Sequence, residues 1–196
     1  MVESISAYLR ETAALLEATA SADLEASVER AATCLASALV DRKPVLICGN
    51  GGSAADAQHI AGELVGRYLL ERPAYKAIAL GADTAVLTAW SNDYSYESAF
   101  AREVEALGEP GGVLWAISTS GNSANVLAAL EAARRIGMTT LGLTGAGGGR
   151  MRTLCDILLD VPSRSTPRIQ EVHHCLYHFL CGAVERHLSG SPAKKN

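Results

Sequence analysis

The chain has 196 residues, 48% hydrophobic and 19% charged, proportions that fit one globular domain able to bury a substantial core. Its net charge of −4 excludes a surface built to neutralise nucleic-acid phosphates, which is strongly basic, so no nucleic-acid partner is expected. Cys34, Cys48, Cys155, Cys175 and Cys181 form no C-x-x-C pair and no disulfide framework, and no run reaches the roughly 18–20 uncharged apolar residues of a membrane span. The first sixteen residues mix Glu3, Arg10 and Glu11 with apolar positions, unlike a signal peptide, so a cytoplasmic protein with no membrane partner is expected. Leu9, Ala13 and Leu16, then Val28, Ala31, Leu35 and Leu39, recur at helical spacing and predict two N-terminal helices, the second capped by Ser21 or Asp23 and stopped before Pro44. From residue 43 the chain alternates short apolar runs with helical segments. The runs are Val45 to Cys48, Ala77 to Leu80, Val113 to Ile117, Thr140 to Leu143 and Ile157 to Val161, and the clearest helical segments are Ala54 to Val65, Ala124 to Ile136 and Ile169 to His187. Unbroken apolar runs suit strands covered on both faces, and the alternation predicts an α/β fold with a five-stranded parallel sheet flanked by helices. Residues 1–196 read as a single domain, with 43–188 as the sheet-helix core. The helices within 1–42 exceed what five strands need for cover and are expected to serve oligomerisation. The tail from Ser189, with Lys194 and Lys195, reads as a frayed end.

Two of the strand-to-helix turns have the composition of anion sites. The first run leads into Gly49-Asn50-Gly51-Gly52-Ser53 and the third into Ser118-Thr119-Ser120-Gly121-Asn122-Ser123, each just before a helix, where unpaired amides and the helix dipole attract negative charge. Neither carries the P-loop lysine or a G-x-G-x-x-G fingerprint. Glycine alone is a weak signal, because a tight turn needs it whether or not anything binds. Four hydroxyls within six residues are a stronger one, since N-capping would use one of them. Gly145 to Gly149 reads as a plain loop. Ser53 either supports the first loop or only caps the helix that follows.

His59 and Glu63 lie four residues apart on one helix face, a pair that can hold a metal or sit on the surface. The last helix contains Gln170, Glu171, His173, His174 and His178 within nine residues. His174 shares a face with Gln170 and with His178, whereas Gln170 and His178 are about 12 Å apart along an ideal helix. If both serve one ion, either Gln170 sits on a frayed first turn or the two come from different subunits.

The segment from Cys48 to His59, Glu63-Leu64, Asn92-Asp93, Ser118 to Ser123 and Arg168-Ile169-Gln170-Glu171 resemble, in order and spacing, the phosphoheptose isomerases of the SIS family, over nearly the whole chain. The resemblance implies the SIS fold, a flavodoxin-like doubly wound sheet, and a homotetramer with active sites at subunit interfaces. It implies isomerisation of sedoheptulose 7-phosphate to D-glycero-D-manno-heptose 7-phosphate, a precursor of lipopolysaccharide or other surface glycans. It carries zinc ligands over to His59, Glu63, Gln170 and His178, which leaves out His173 and His174. Substrate contacts carry over to Asn50, Gly51, Gly52, Asn92, Asp93, Ser118, Thr119, Ser120, Ser123 and Gln170, joined by Glu63 and, from the first loop, Ser53. Pro167 stands where some relatives have an acidic residue, so no catalytic part falls to that position.

Aldose–ketose isomerisation through an enediol needs a base, an acid and stabilisation of an oxyanion. Glu63 is the expected base, His178 the expected acid, an imidazole titrating near working pH, and zinc the expected Lewis acid. A carboxylate on a dication is a poorer base, so the two parts assigned to Glu63 call for different steps. Two other readings share the fold: a non-catalytic partner of a replication initiator, whose class loses metal ligands that this chain keeps, and a different SIS sugar-phosphate isomerase or sensor.

Overall fold

The structure, a computed structural model, describes residues 4–189; Lys194, Lys195 and the rest of the tail beyond Ser189 lie outside the described residues. Helices α1 (Ile5–Ala20) and α2 (Glu25–Val40) precede β1 (Val45–Gly49), α3 (Gly52–Val65), β2 (Ala77–Ala79), α4 (Thr84–Asp93) and α5 (Ala99–Leu107). Then come β3 (Val113–Ser118), α6 (Ala124–Ile136), β4 (Thr139–Thr144), β5 (Ile157–Asp160) and α7 (Thr166–Ser189). The five strands form one parallel sheet in the order β2-β1-β3-β4-β5, the doubly wound α/β arrangement expected from the sequence.

The period of two along each strand sorts the core into two layers. Val45 and Ile47, Trp115 and Ile117, Leu141 and Leu143 pack with Leu35, Ile60, Leu64, Tyr177 and Leu180, so α2, α3 and α7 cover one face. Leu46 and Cys48, Leu114 and Ala116 pack with Phe100, Val104, Val126 and Leu130, so α5 and α6 cover the other. Both faces of β1 and β3 are therefore buried from end to end, which is why their sequences are unbroken apolar runs.

The N-terminal helices differ from each other. On α2, Ala31, Ala32, Leu35, Ala36, Ala38 and Leu39 are buried, so this helix is part of the sheet's own cover. On α1 only Thr19 is buried, while Ile5 and Leu9 stay 70% and 60% exposed. Ser21 and Asp23 do not cap α2: the residue before it is Leu24, with helical backbone angles and no side-chain cap, and Ser21 instead closes α1 through its amide to Glu17 O at 3.0 Å.

Strand order reverses at β1, whose two neighbours are β2 and β3. In an open parallel sheet this leaves a crevice beyond the carboxyl ends of the two central strands. Both anion-type turns of the sequence, after β1 and after β3, open into that crevice.

Candidate functional site

A hollow of about 290 Å³ lies there, lined by Asn50, Gly51, Gly52, Ser53, Ser118, Thr119, Ser123, Thr166 and Gln170. The N-terminal ends of α3, α6 and α7 supply Gly52, Ser123 and Thr166 to its wall, so three helix dipoles add at one place and favour an anion. Ser123 makes no capping bond; its hydroxyl lies 2.9 Å from that of Ser118, which is 3.4 Å from that of Ser120. Thr119 Oγ1 lies 3.3 Å from Thr166 Oγ1, a residue the sequence did not single out. These hydroxyls can turn as donors toward a phosphate oxygen. Ser120 also accepts from Asn122 N at 3.2 Å and lines a neighbouring hollow with Thr119.

The turn Gly145 to Gly149, expected to be a plain loop, buttresses this cradle. Gly145 N donates to Thr119 O at 2.9 Å, Met151 N to Gly121 O at 3.0 Å and Arg150 N to Asn122 Oδ1 at 3.0 Å. Gly121 has φ +65°, and a Cβ there would stand 2.1 Å from Gly148 O. Gly121→Ala is thus expected to cost about 1–3 kcal/mol and to lower the thermal midpoint by roughly 2–12 °C, read by a calorimetric melt. An unchanged midpoint would remove the buttress.

Asn50 is fixed by side chains that the sequence gave no reason to pair with it. Asn50 Nδ2 donates to Asn125 Oδ1 at 2.9 Å, Asn125 Nδ2 returns a bond to Asn50 Oδ1 at 2.8 Å, and Tyr96 Oη donates to the same oxygen at 2.7 Å. Ser53, buried in the first turn of α3, does not cap it, since the residue before the helix is Gly51. Asn92 and Asp93 are exposed at the end of α4, bonded to each other at 2.9 Å, and neither lines the cradle.

Beside the cradle α3 and α7 bring imidazoles together. One ring nitrogen each of His59, His174 and His178 lies within 4.8 Å of the others, and the ring centroids are 4.4–5.3 Å apart. Glu63 joins through His59, whose Nε2 is 3.0 Å from Glu63 Oε1. Helix α7 is regular from Thr166, so Gln170 is not on a frayed turn. Its amide lies over Gly52, where a Cβ would stand 2.6 Å from Gln170 Nε2. Gln170 lines both the cradle and a second hollow of about 510 Å³ shared with Asp56, Pro167, Glu171 and His174. The cradle and the imidazoles are neighbours with Gln170 between them. Three imidazoles and a carboxylate are a zinc-type donor set, and tetrahedral ligation at about 2.1 Å requires donors about 3.4 Å apart. The three imidazole nitrogens, within 4.8 Å of one another, need a contraction of little more than an ångström to reach that, and Glu63 Oε1 is already 3.0 Å from His59 Nε2, so these side chains fit such an ion.

Burial, then the neighbouring His178 and His59, push the His174 imidazole below its ordinary pKa. His173 points elsewhere, into the core, with Nε2 3.1 Å from Thr144 O; burial holds it down at about 4, a neutral structural ring. Arg168 and Glu171 are also structural. Glu171 accepts from Tyr8 Oη at 2.7 Å and Thr12 Oγ1 at 2.6 Å, and Arg168 bonds to Glu11 at 3.0 Å, clamping α1 to the first turn of α7.

A family model described as SIS domain matches residues 7–145. The chain is 52% identical over 187 residues to a phosphoheptose isomerase of Desulfovibrio desulfuricans, covering 95% of this chain and 89% of the relative. It is 50% identical over 190 residues to one of Burkholderia pseudomallei, covering 97% and 95%. Among solved structures, the phosphoheptose isomerase of Neisseria gonorrhoeae superposes with a TM-score of 0.87 at 40% identity, covering 92% of this chain and 96% of that one. That of Francisella tularensis gives 0.89 at 37% identity, over 93% and 96%. With an anion cradle at the strand switch and a donor cluster beside it, the chain belongs to the SIS domain family and, within it, to the phosphoheptose isomerases.

Proposed function

We propose that the protein isomerises sedoheptulose 7-phosphate to D-glycero-D-manno-heptose 7-phosphate, with Zn²⁺ as its cofactor. The observation that carries this reading is the junction of two features: a cradle of hydroxyls and three helix N-termini shares Gly52 and Gln170 with the hollow that reaches His174. Ser118, Thr119, Ser120 and Ser123 hold the phosphate, and Asn50, Gly51, Gly52 and Ser53 line the path of the chain toward the imidazoles. That grip, remote from the reacting carbons, fixes C1 and C2 beside α3 and α7. His59, Glu63, Gln170 and His178 hold the zinc, which when bound polarises the substrate carbonyl as a Lewis acid. Glu63 takes the proton from one carbon and returns it to the other, while His178 serves the oxygens.

Asn92 and Asp93 lie outside the cradle of their own protomer, and α1 presents Ile5 and Leu9 outward. A homotetramer with sites at subunit interfaces, in which the N-terminal helices contribute to assembly, accounts for both. A cytoplasmic location accords with five free cysteines and with no helix, among the described residues, long and apolar enough to cross a membrane. Heptose precursor supply for lipopolysaccharide or another surface glycan is the corresponding role.

The test is an isomerase assay on metal-stripped and zinc-reloaded protein. Stripping is expected to lower kcat by ~100-fold or more, since a Lewis acid at a carbonyl contributes several kcal/mol, and reloading to restore it. Full turnover without metal would remove zinc from the reading. Zinc-loaded protein inert toward the heptose phosphate would favour an initiator-binding or other SIS role.

A further inference from the structure

Behind the imidazoles, on the core side, stands a tyrosine to which neither spacing nor family resemblance assigned a part. Tyr177 is fully buried, its ring held in the core that α2, α3 and α7 make against the sheet. Its hydroxyl oxygen lies 2.7 Å from His174 Nδ1, 3.1 Å from His59 Nδ1 and 3.5 Å from Asp56 Oδ1. A phenol has one proton to give and two lone pairs to receive with. With a cation on the Nε2 side of the rings, two imidazole N–H groups and one carboxylate oxygen match that inventory: both Nδ1–H groups donate to Tyr177, and Tyr177 donates to Asp56. Each ring then carries its proton on Nδ1 and turns its Nε2 lone pair to the cation, which for His59 is the side where Glu63 Oε1 stands 3.0 Å away. The other tautomer of His59, with its Nε2 proton given to Glu63, leaves that nitrogen no lone pair for a cation.

We propose that Tyr177, anchored by Asp56, is the positioning residue that sets the tautomer of His59 and His174 for metal binding, and that His174 thereby serves the zinc as a third imidazole. Ligating histidines in general need their second nitrogen tied to an acceptor, which fixes the ring and raises its basicity. Here one oxygen does so for two rings on different helices, α3 and α7. A phenol hydroxyl can donate and accept at once. His174, set aside on the family pattern, is drawn in because it shares this acceptor with His59 and lies 4.4 Å, centroid to centroid, from His178. The proposal rests on the zinc reading above and adds to it the groups that orient the ligands.

Zinc affinity measured by chelator competition on the purified full chain tests it without recourse to turnover. Tyr177→Phe keeps the ring and removes the oxygen; its dissociation constant for Zn²⁺ is expected to rise by about 10–100-fold. In a His174→Ala background the same substitution is expected to have a smaller effect, since one of its two targets is gone. If Tyr177→Phe does not fold, Asp56→Ala carries the test, because the phenol then has only an imidazole to donate to; the expected loss is in the same direction, at least about fivefold. Tyr177→Phe within twofold of the unsubstituted protein overturns the proposal and leaves the zinc reading standing. An equal effect in both backgrounds overturns the part given to His174. Unsubstituted protein that takes up no zinc overturns both.

Discussion

Glu63→Gln is expected to leave the protein folded and to reduce turnover of the heptose phosphate by about 10³-fold or more, the upper part of the range for loss of a general base. The backbone at this position does not depend on the carboxylate. Glu63 lies in the last turn of α3 and its carbonyl accepts from Arg72 Nη2 at 2.6 Å, a bond the substitution keeps. The side chain's own partner is His59 Nε2 at 3.0 Å, and glutamine can still accept there through its oxygen. What disappears is the charge: an amide takes no proton from carbon and ligates a dication weakly. Zinc content measured alongside kcat divides the two roles. A variant that keeps stoichiometric zinc and loses turnover identifies Glu63 as the base, and one that loses both identifies it first as a ligand. A kcat within tenfold of the unsubstituted enzyme would take Glu63 out of the chemistry.

The sheet was legible because its inner strands are covered on both faces. Val45 to Cys48 and Val113 to Ile117 have no polar residue to break the run, and the observed strands extend each by a single residue. The helices between β2 and β3 were not read. In α4 no residue is buried, so no apolar stripe exists to be seen. In α5 a signal was present in Phe100 and Val104, four residues apart and both buried, but nine residues make too short a pattern to stand out. The cradle followed the same logic. Ser118 to Ser123 was legible from its density of hydroxyls, whereas Thr166, Tyr96 and Asn125 are functional only through partners 46 to 75 positions away. Tyr177 is the extreme case: as a sequence feature it is one more core aromatic, and its chemistry lies in meeting Asp56 and His59 across 121 and 118 residues.

The second large effect lies outside the donor cluster, in the pair that holds its two helices together. Arg72 and Glu185 are 3.1 Å apart with side chains only 5% and 1% exposed. Glu185, on α7, also accepts from the amides of Tyr68, Leu69 and Leu70 at 2.8–2.9 Å. Arg72 turns its remaining nitrogens to the carbonyls of Glu63, Leu64 and Gly66, so a cation closes the C-terminal end of α3, where the dipole welcomes it. The pair thereby joins the end of the helix that carries His59 and Glu63 to the helix that carries His178, and it places Tyr68 in a stack on the His178 ring, 5.5 Å between centroids. Removing one partner of a buried, fully bonded pair leaves an uncompensated charge, so Glu185→Ala is expected to cost about 3–5 kcal/mol and to lower the thermal midpoint at pH 7 by roughly 6–20 °C. Burial alone would raise the pKa of Glu185; the three amides and Arg72 outweigh it and hold the carboxyl below its ordinary value. A depressed folded-state pKa gives stability that is complete above the unfolded value, about 4.3 for glutamate, and that drains away as pH falls through the folded one. The difference in midpoint between the unsubstituted protein and Glu185→Ala should therefore be widest at neutral pH and narrow below about pH 4. Because the pair is shielded from solvent, the neutral-pH difference should also survive high salt. A difference under 2 °C at pH 7 would show that the two helices are held by their apolar contacts alone, and one that 1 M salt erases would show that the pair is open to solvent.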